Sequence, residues 1–179
     1  MNDIVIRPFK KGDHKTILAI FNYYAKNGFA VYAEVKFKKP FVEQIVKNTR
    51  VLLILEVEGA VAGFGYISPY KPYPNFARTG VLTYFISQEF TGKGYGRRLF
   101  EQLVEAGQTK GITNYLAHIC SRNEASLKFH QKLGFAEVGR FKHVADKFGE
   151  PFDIVWVQKD FDGHKGTPHR GPLRGENTA

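Results

Sequence analysis

The chain has 179 residues, 43% of them hydrophobic and 15% aromatic, with a formal net charge of +9. That supplies the core of one domain, and no stretch reaches the roughly 18 apolar residues of a membrane helix. The basic residues are scattered, with no arginine-rich block and no aromatic RNA-binding signature, so neither nucleic acid nor a membrane is expected as a partner.

Residues 1–4 show no charged-then-apolar leader. The single cysteine, Cys120, excludes an internal disulfide and fits a reducing cytoplasm. A strand is expected to begin at Ile4-Val5-Ile6. Asp13 reads as the N-cap of a helix on which Ile17, Ile20, Phe21 and Tyr24 keep helical spacing. Pro40 opens a second helix through Phe41, Val42, Ile45 and Val46. Residues 51–55 are apolar on both faces and read as a covered strand. Glu58-Gly59 then turns the chain into an antiparallel partner at 60–67. A loop rich in proline and aromatics occupies 69–76. Further elements are a strand at 79–86, a helix at 95–109, a strand at 115–120, a helix after Asn123, and strands at 136–144 and 152–158. Strands mixed with helices in this order predict an α/β fold, a mixed sheet with helices on both faces. Residues 1–161 read as one domain. Residues 162–179 lack apolar periodicity and read as a flexible tail.

Two segments carry chemistry. The first is Thr91-Gly92-Lys93-Gly94-Tyr95-Gly96-Arg97-Arg98, between a strand and a helix. The N–H groups of a first helical turn have no partner inside the helix, and the dipole adds positive charge there. Glycines allow close approach, so the turn suits a phosphate. Its alternate glycines fit neither the dinucleotide fingerprint nor the P-loop. The second segment is Asn123 onward. At 100° per residue, Asn123, Ser126, Leu127 and His130 share one arc, and Phe129 and Leu133 form a packing stripe beside it. Glu124, Lys128, Gln131 and Lys132 face solvent, and Gly134 ends the helix.

Together the G-K-G-x-G turn after its strand and the later N-x-x-S-x-x-x-H-x-x-L-G-F resemble the GNAT N-acetyltransferases, which use acetyl-CoA. The similarity is greatest to the phosphinothricin and methionine sulfoximine acetyltransferase group. It extends to Lys147-Phe148-Gly149 before the last strand and to Ala30-Val31-Tyr32-Ala33-Glu34 on the substrate side. The resemblance implies a mostly antiparallel GNAT sheet, a homodimer, and acetyl-CoA as co-substrate with no metal. It implies that Gly92, Lys93, Gly94, Tyr95, Gly96 and Arg97 hold the pyrophosphate. Tyr84, Phe85 and Ile86 would pair with the pantetheine arm, and Asn123 and Ser126 would lie beside it. A small-molecule amine would meet Tyr32, Lys71, Tyr73 and Phe76. Protein or polyamine acetylation, or a non-catalytic CoA-binding module, are the alternative readings.

Acetyl transfer to an amine needs a neutral amine, a polarised carbonyl and a proton for the departing thiolate. His130 is the expected acid and Glu34 a candidate base; His118 and His143 are expected to be structural. The resemblance places a Glu at position 81, where this chain has Val81, which accepts no proton. An α-amine, with a pKa of about 7.7–8.0, tolerates that loss; a lysine amine would cost roughly 4 kcal/mol to deprotonate near pH 7.5.

Overall fold

The computed structural model describes residues 3–162. Its elements are β1 (Ile4–Pro8), α1 (His14–Lys26), α2 (Lys39–Asn48), β2 (Val51–Val57), β3 (Ala60–Pro69), β4 (Thr79–Ile86), α3 (Tyr95–Gln108), β5 (Asn114–Cys120), α4 (Glu124–Lys132), β6 (Ala136–Lys147) and β7 (Glu150–Asp160). One seven-stranded sheet runs in the order β1-β2-β3-β4-β5-β7-β6. Every neighbouring pair is antiparallel except β4 and β5. This is the expected mixed α/β architecture.

The apolar run in β2 explains how the layers stack. Ile54 and Leu55 are both fully buried, yet neighbouring residues of a strand point to opposite faces. Ile54 joins Ile17, Phe21, Val42 and Phe64 under α1 and α2. Leu55 joins Leu99, Leu103, Ile67 and Tyr115 under α3. Phe21 anchors the first cluster, its ring 4.8–5.8 Å from those of Phe37, Phe41, Phe64 and Phe85. Each such aromatic pair adds about 0.5–1.5 kcal/mol beyond area burial.

Local signals placed most turns. Glu58 and Gly59 take φ of 53° and 78°, the two left-handed residues that a tight hairpin between twisted strands requires. At the end of α4, the N–H of Phe135 donates to the His130 carbonyl (3.0 Å) and that of Gly134 to Gln131 (2.9 Å). With Gly134 at φ 84°, this is a Schellman stop.

Asp13 departs from expectation. It sits at the N-cap position of α1, but its side chain makes no cap bond. The carboxylate instead accepts two 2.9 Å bonds from the Arg7 guanidinium and one from the Lys10 N–H. Arg7 Nε also donates to Glu56 at 2.9 Å. The guanidinium holds Asp13 below the usual carboxylate range, and a bidentate charged partner outcompetes a neutral helix N–H. The last strands are longer than expected, because β6 and β7 pair out to the Phe148-Gly149 turn. The expected tail lies outside the described residues apart from Asp162, whose carboxylate accepts from Arg78 at 2.9 Å.

Where β4 meets β5 the sheet opens. Only Thr79, Gly80 and Val81 pair with β5, against Asn114, Tyr115 and Leu116. β4 runs on to Ile86 and β5 to Cys120 without further pairing between them. The resulting wedge is where every element of the site meets.

Candidate functional site

A cleft of about 1230 Å³ fills the wedge. One wall is the second half of β4, the glycine turn and the start of α3. α4 closes its back. The opposite wall is β5 with the 30–33 segment.

In the glycine turn, Gly92 and Gly94 take φ of 74° and 81°, and a Cβ added at either would meet nothing within 4 Å. The turn is therefore open in front, and the first N–H groups of α3 face it. Gly96 has a different reason: a Cβ there would stand 3.3 Å from the Phe129 ring, so glycine lets α3 and α4 approach. Gly92, Gly94, Tyr95, Gly96 and Arg97 all border the cleft. Lys93 does not; its ammonium donates back to the Glu89 carbonyl at 3.0 Å and lies over the Phe90 ring. The Ile86 carbonyl, expected to pair with a ligand arm, accepts from the Tyr24 hydroxyl at 2.6 Å.

On α4, Asn123 caps the helix, its Oδ1 accepting from the Ser126 N–H at 3.2 Å. His130 is only 4% exposed. Its Nδ1 lies 2.8 Å from the Ser126 carbonyl and its Nε2 lies 2.6 Å from the Tyr84 hydroxyl. A carbonyl only accepts, so Nδ1 carries the proton and Nε2 accepts from Tyr84. Burial lowers the His130 pKa and raises that of Tyr84. The resting pair is thus neutral imidazole and neutral phenol. The sequence pointed to the His130 imidazole alone; the structure makes Tyr84, expected only for its backbone, the hydroxyl that faces it.

The opposite wall was less legible. Tyr32 borders the cleft. Its hydroxyl contacts one residue twice, 2.8 Å from His118 Nδ1 and 2.9 Å from the His118 carbonyl. The ring of His118 also lies 5.1 Å from that of Trp156. His118 and Cys120, set aside by the sequence reading, both border the cleft beside Val81. The Cys120 thiol is buried, and burial raises its pKa, which disfavours the thiolate.

Glu34 does not border the cleft. Its carboxylate accepts the Phe148 N–H at 2.9 Å and braces the β6–β7 turn. Lys71, Tyr73 and Phe76 also lie off the lining; Lys71 sits over the Tyr70 ring, and Phe76 packs between Tyr70 and Tyr73. Ser68 and Pro69 occupy the rim there instead. Lys147, legible only as part of a motif, is 1% exposed. Its ammonium donates to the carbonyls of Gly28 (2.5 Å), Val31 (2.7 Å) and Tyr24 (3.4 Å). It ties the segment carrying Tyr32 to the sheet. Among the described residues, no group of three His, Cys, Asp or Glu is placed to hold a metal, and no helix is long and apolar enough to cross a membrane.

Residues 17–135 match the model of the acetyltransferase (GNAT) family. The L-methionine sulfoximine/L-methionine sulfone acetyltransferase of Pseudomonas paraeruginosa is 27% identical over 91% of this chain and 98% of its own length. The phosphinothricin N-acetyltransferase of Streptomyces coelicolor is 24% identical over 88% and 96%. Among solved structures, a GNAT phosphinothricin acetyltransferase from Sinorhizobium meliloti in complex with acetyl-CoA superposes with a TM-score of 0.83, covering 96% of each chain at 23% identity.

Proposed function

The chain belongs to the acetyltransferase (GNAT) family, and from that premise we propose that it transfers an acetyl group from acetyl-CoA to the amine of a small amino acid or amino acid analogue. The observation that carries this reading is the wedge: β4 and β5 part beside an open glycine turn at the head of a helix. A pyrophosphate fits the turn, and an extended pantetheine arm fits along the free edge of β4, as an added strand does. A β4 N–H would then polarise the thioester oxygen; losing such a donor typically costs about 2.7–4 kcal/mol.

The transfer runs directly within a ternary complex. The amine lone pair attacks the thioester carbon and the thiolate leaves with a proton. Cys120 is no acyl carrier in this scheme, since burial keeps it as the thiol. His130 acts on the sulfur side through Tyr84, whose hydroxyl it orients. Glu34 and Lys71, both off the lining, take no part in the proton transfers of this scheme. The named substrates of the two relatives, methionine sulfoximine and phosphinothricin, support an amino-acid-like acceptor. So does Val81: with no carboxylate at that place, an α-amine is easier to acetylate than a lysine.

We also read the protein as a cytoplasmic homodimer. The support is β6, an edge strand exposing Val138, Phe141 and Val144, the kind of apolar edge that monomers avoid. Sedimentation at micromolar concentration tests it; a monomer there removes the dimer. For the activity, release of free CoA thiol is measured with acetyl-CoA and a panel of amino acids, methionine sulfoximine, phosphinothricin and polyamines. Turnover of α-amino acids or their analogues is expected; turnover of polyamines alone would overturn the substrate class.

A further inference from the structure

This inference rests on the acetyl-transfer reading and concerns the proton that the acceptor must lose. The last β4–β5 pair is Val81 with Leu116. Side chains repeat every second residue along a strand, so Leu116, His118 and Cys120 share a sheet face with Val81, Thr83 and Phe85. His118 therefore stands across the open wedge, level with Thr83 and two residues beyond Val81. Its carbonyl only accepts, so the Tyr32 hydroxyl gives its proton there and Nδ1–H donates to the Tyr32 oxygen. That fixes the tautomer with its lone pair on Nε2. Among the described residues, nothing donates to Nε2. The ring lines the cleft and the residue is solvent-exposed.

We propose that His118 is the general base of this acetyl transfer. The acceptor's ammonium proton passes to Nε2, and the freed lone pair attacks the thioester carbon. As the C–N bond forms and the C–S bond breaks, the nitrogen sheds its second proton to the leaving sulfur. The His118 proton then leaves to solvent through the open mouth of the cleft. Partial desolvation of the ring between Tyr32 and Trp156 holds the imidazole below its ordinary pKa, so it is neutral at pH 7, with the Nε2 lone pair available. The rings packed against it are Tyr32 from the 30–33 segment and Trp156 from β7; Cys120 from β5 and Thr83 from β4 share the cleft lining. The nearby charges are engaged elsewhere, Lys147 with main-chain carbonyls and Glu34 with the Phe148 N–H.

The test compares parent, His118→Gln and Tyr32→Phe by acetyl-CoA calorimetry and by pH–rate profiles on the same amine panel, methionine sulfoximine included. His118→Gln is expected to bind acetyl-CoA as the parent does, to lose about 100-fold in kcat/KM at pH 7, and to recover toward pH 9 as the amine deprotonates unaided. Its acid limb should no longer report an imidazole. Tyr32→Phe should keep that limb but move it. If His118→Gln keeps the parent's rate and profile, this inference falls and the amine reading stands. If the parent binds acetyl-CoA yet acetylates no amine on the panel, both fall. Should His118→Gln fail to bind acetyl-CoA, Tyr32→Phe decides, and an unmoved limb overturns the proposal.

Discussion

On one wall of the cleft, α4 is held largely by neighbours in sequence, with Tyr84 reaching His130 from β4 as its long-range tie. Asn123 caps Ser126, Ser126 accepts from His130, and the Phe135 N–H closes on the His130 carbonyl. On the other, Tyr32 reaches His118 across 86 residues and Lys147 reaches Val31 across 116. In the proposed reading the first wall meets the donor, which is the same molecule in every turnover. In that reading the second meets the acceptor. A wall built of short-range contacts is fixed by helix and turn chemistry; one built of long-range ties is set by a few distant residues such as Lys147.

The largest effect should fall on the donor wall. Gly94→Glu puts a carboxylate and a left-handed non-glycine residue in the anion turn. Acetyl-CoA affinity should drop about 100-fold or more, equivalent to some 2.7 kcal/mol, by calorimetry. A variant that binds as the parent does would break the assignment of that wall. On the acceptor wall, Lys147→Met leaves main-chain carbonyls without their donor, at about 1–3 kcal/mol for an unsatisfied group. The expected fall in Tm is about 4–10 °C, with the amine KM raised tenfold or more and acetyl-CoA affinity kept. An equal loss for both ligands would erase the distinction between the walls. Tyr84→Phe should lower kcat about tenfold, because it leaves the buried His130 Nε2 without its donor.

The smallest effect is shared by both walls. Burial depresses the pKa of His130 on one and His118 on the other. Below about pH 6.5 the unfolded chain binds protons that the folded protein refuses, so stability falls as pH drops through that value and is flat above it. His130→Gln and His118→Gln should each flatten the fall, seen as Tm against pH from 8 to 5, His130→Gln more so because His130 is the more buried.

The same contrast explains what could be read from the chain. The glycine turn, the arc of α4 and the Gly134 stop were legible because their partners lie within a few residues. Ile54 and Leu55 announced a covered strand by being adjacent and apolar. His118 was not legible as part of the cleft, since its orientation depends on where β5 stops pairing with β4 and on a tyrosine far upstream. Glu34 and Lys71 were expected at the site because the loops looked right, but side chains on loops go where distant partners draw them: Glu34 to the Phe148 N–H, Lys71 to the Tyr70 ring. Asp13 shows the same rule at a helix start, drawn off its cap by Arg7.

Lys147 grips the segment beneath Tyr32 by main-chain oxygens alone, those of Tyr24, Gly28 and Val31. Every residue type carries that oxygen. The grip reads none of the side chains from 28 to 33, so cleft-lining residues such as Ala30 and Ala33 can change under the same fastening, while Gly28, at φ 120°, and the buried Val31 stay with the lysine as fixed rivets.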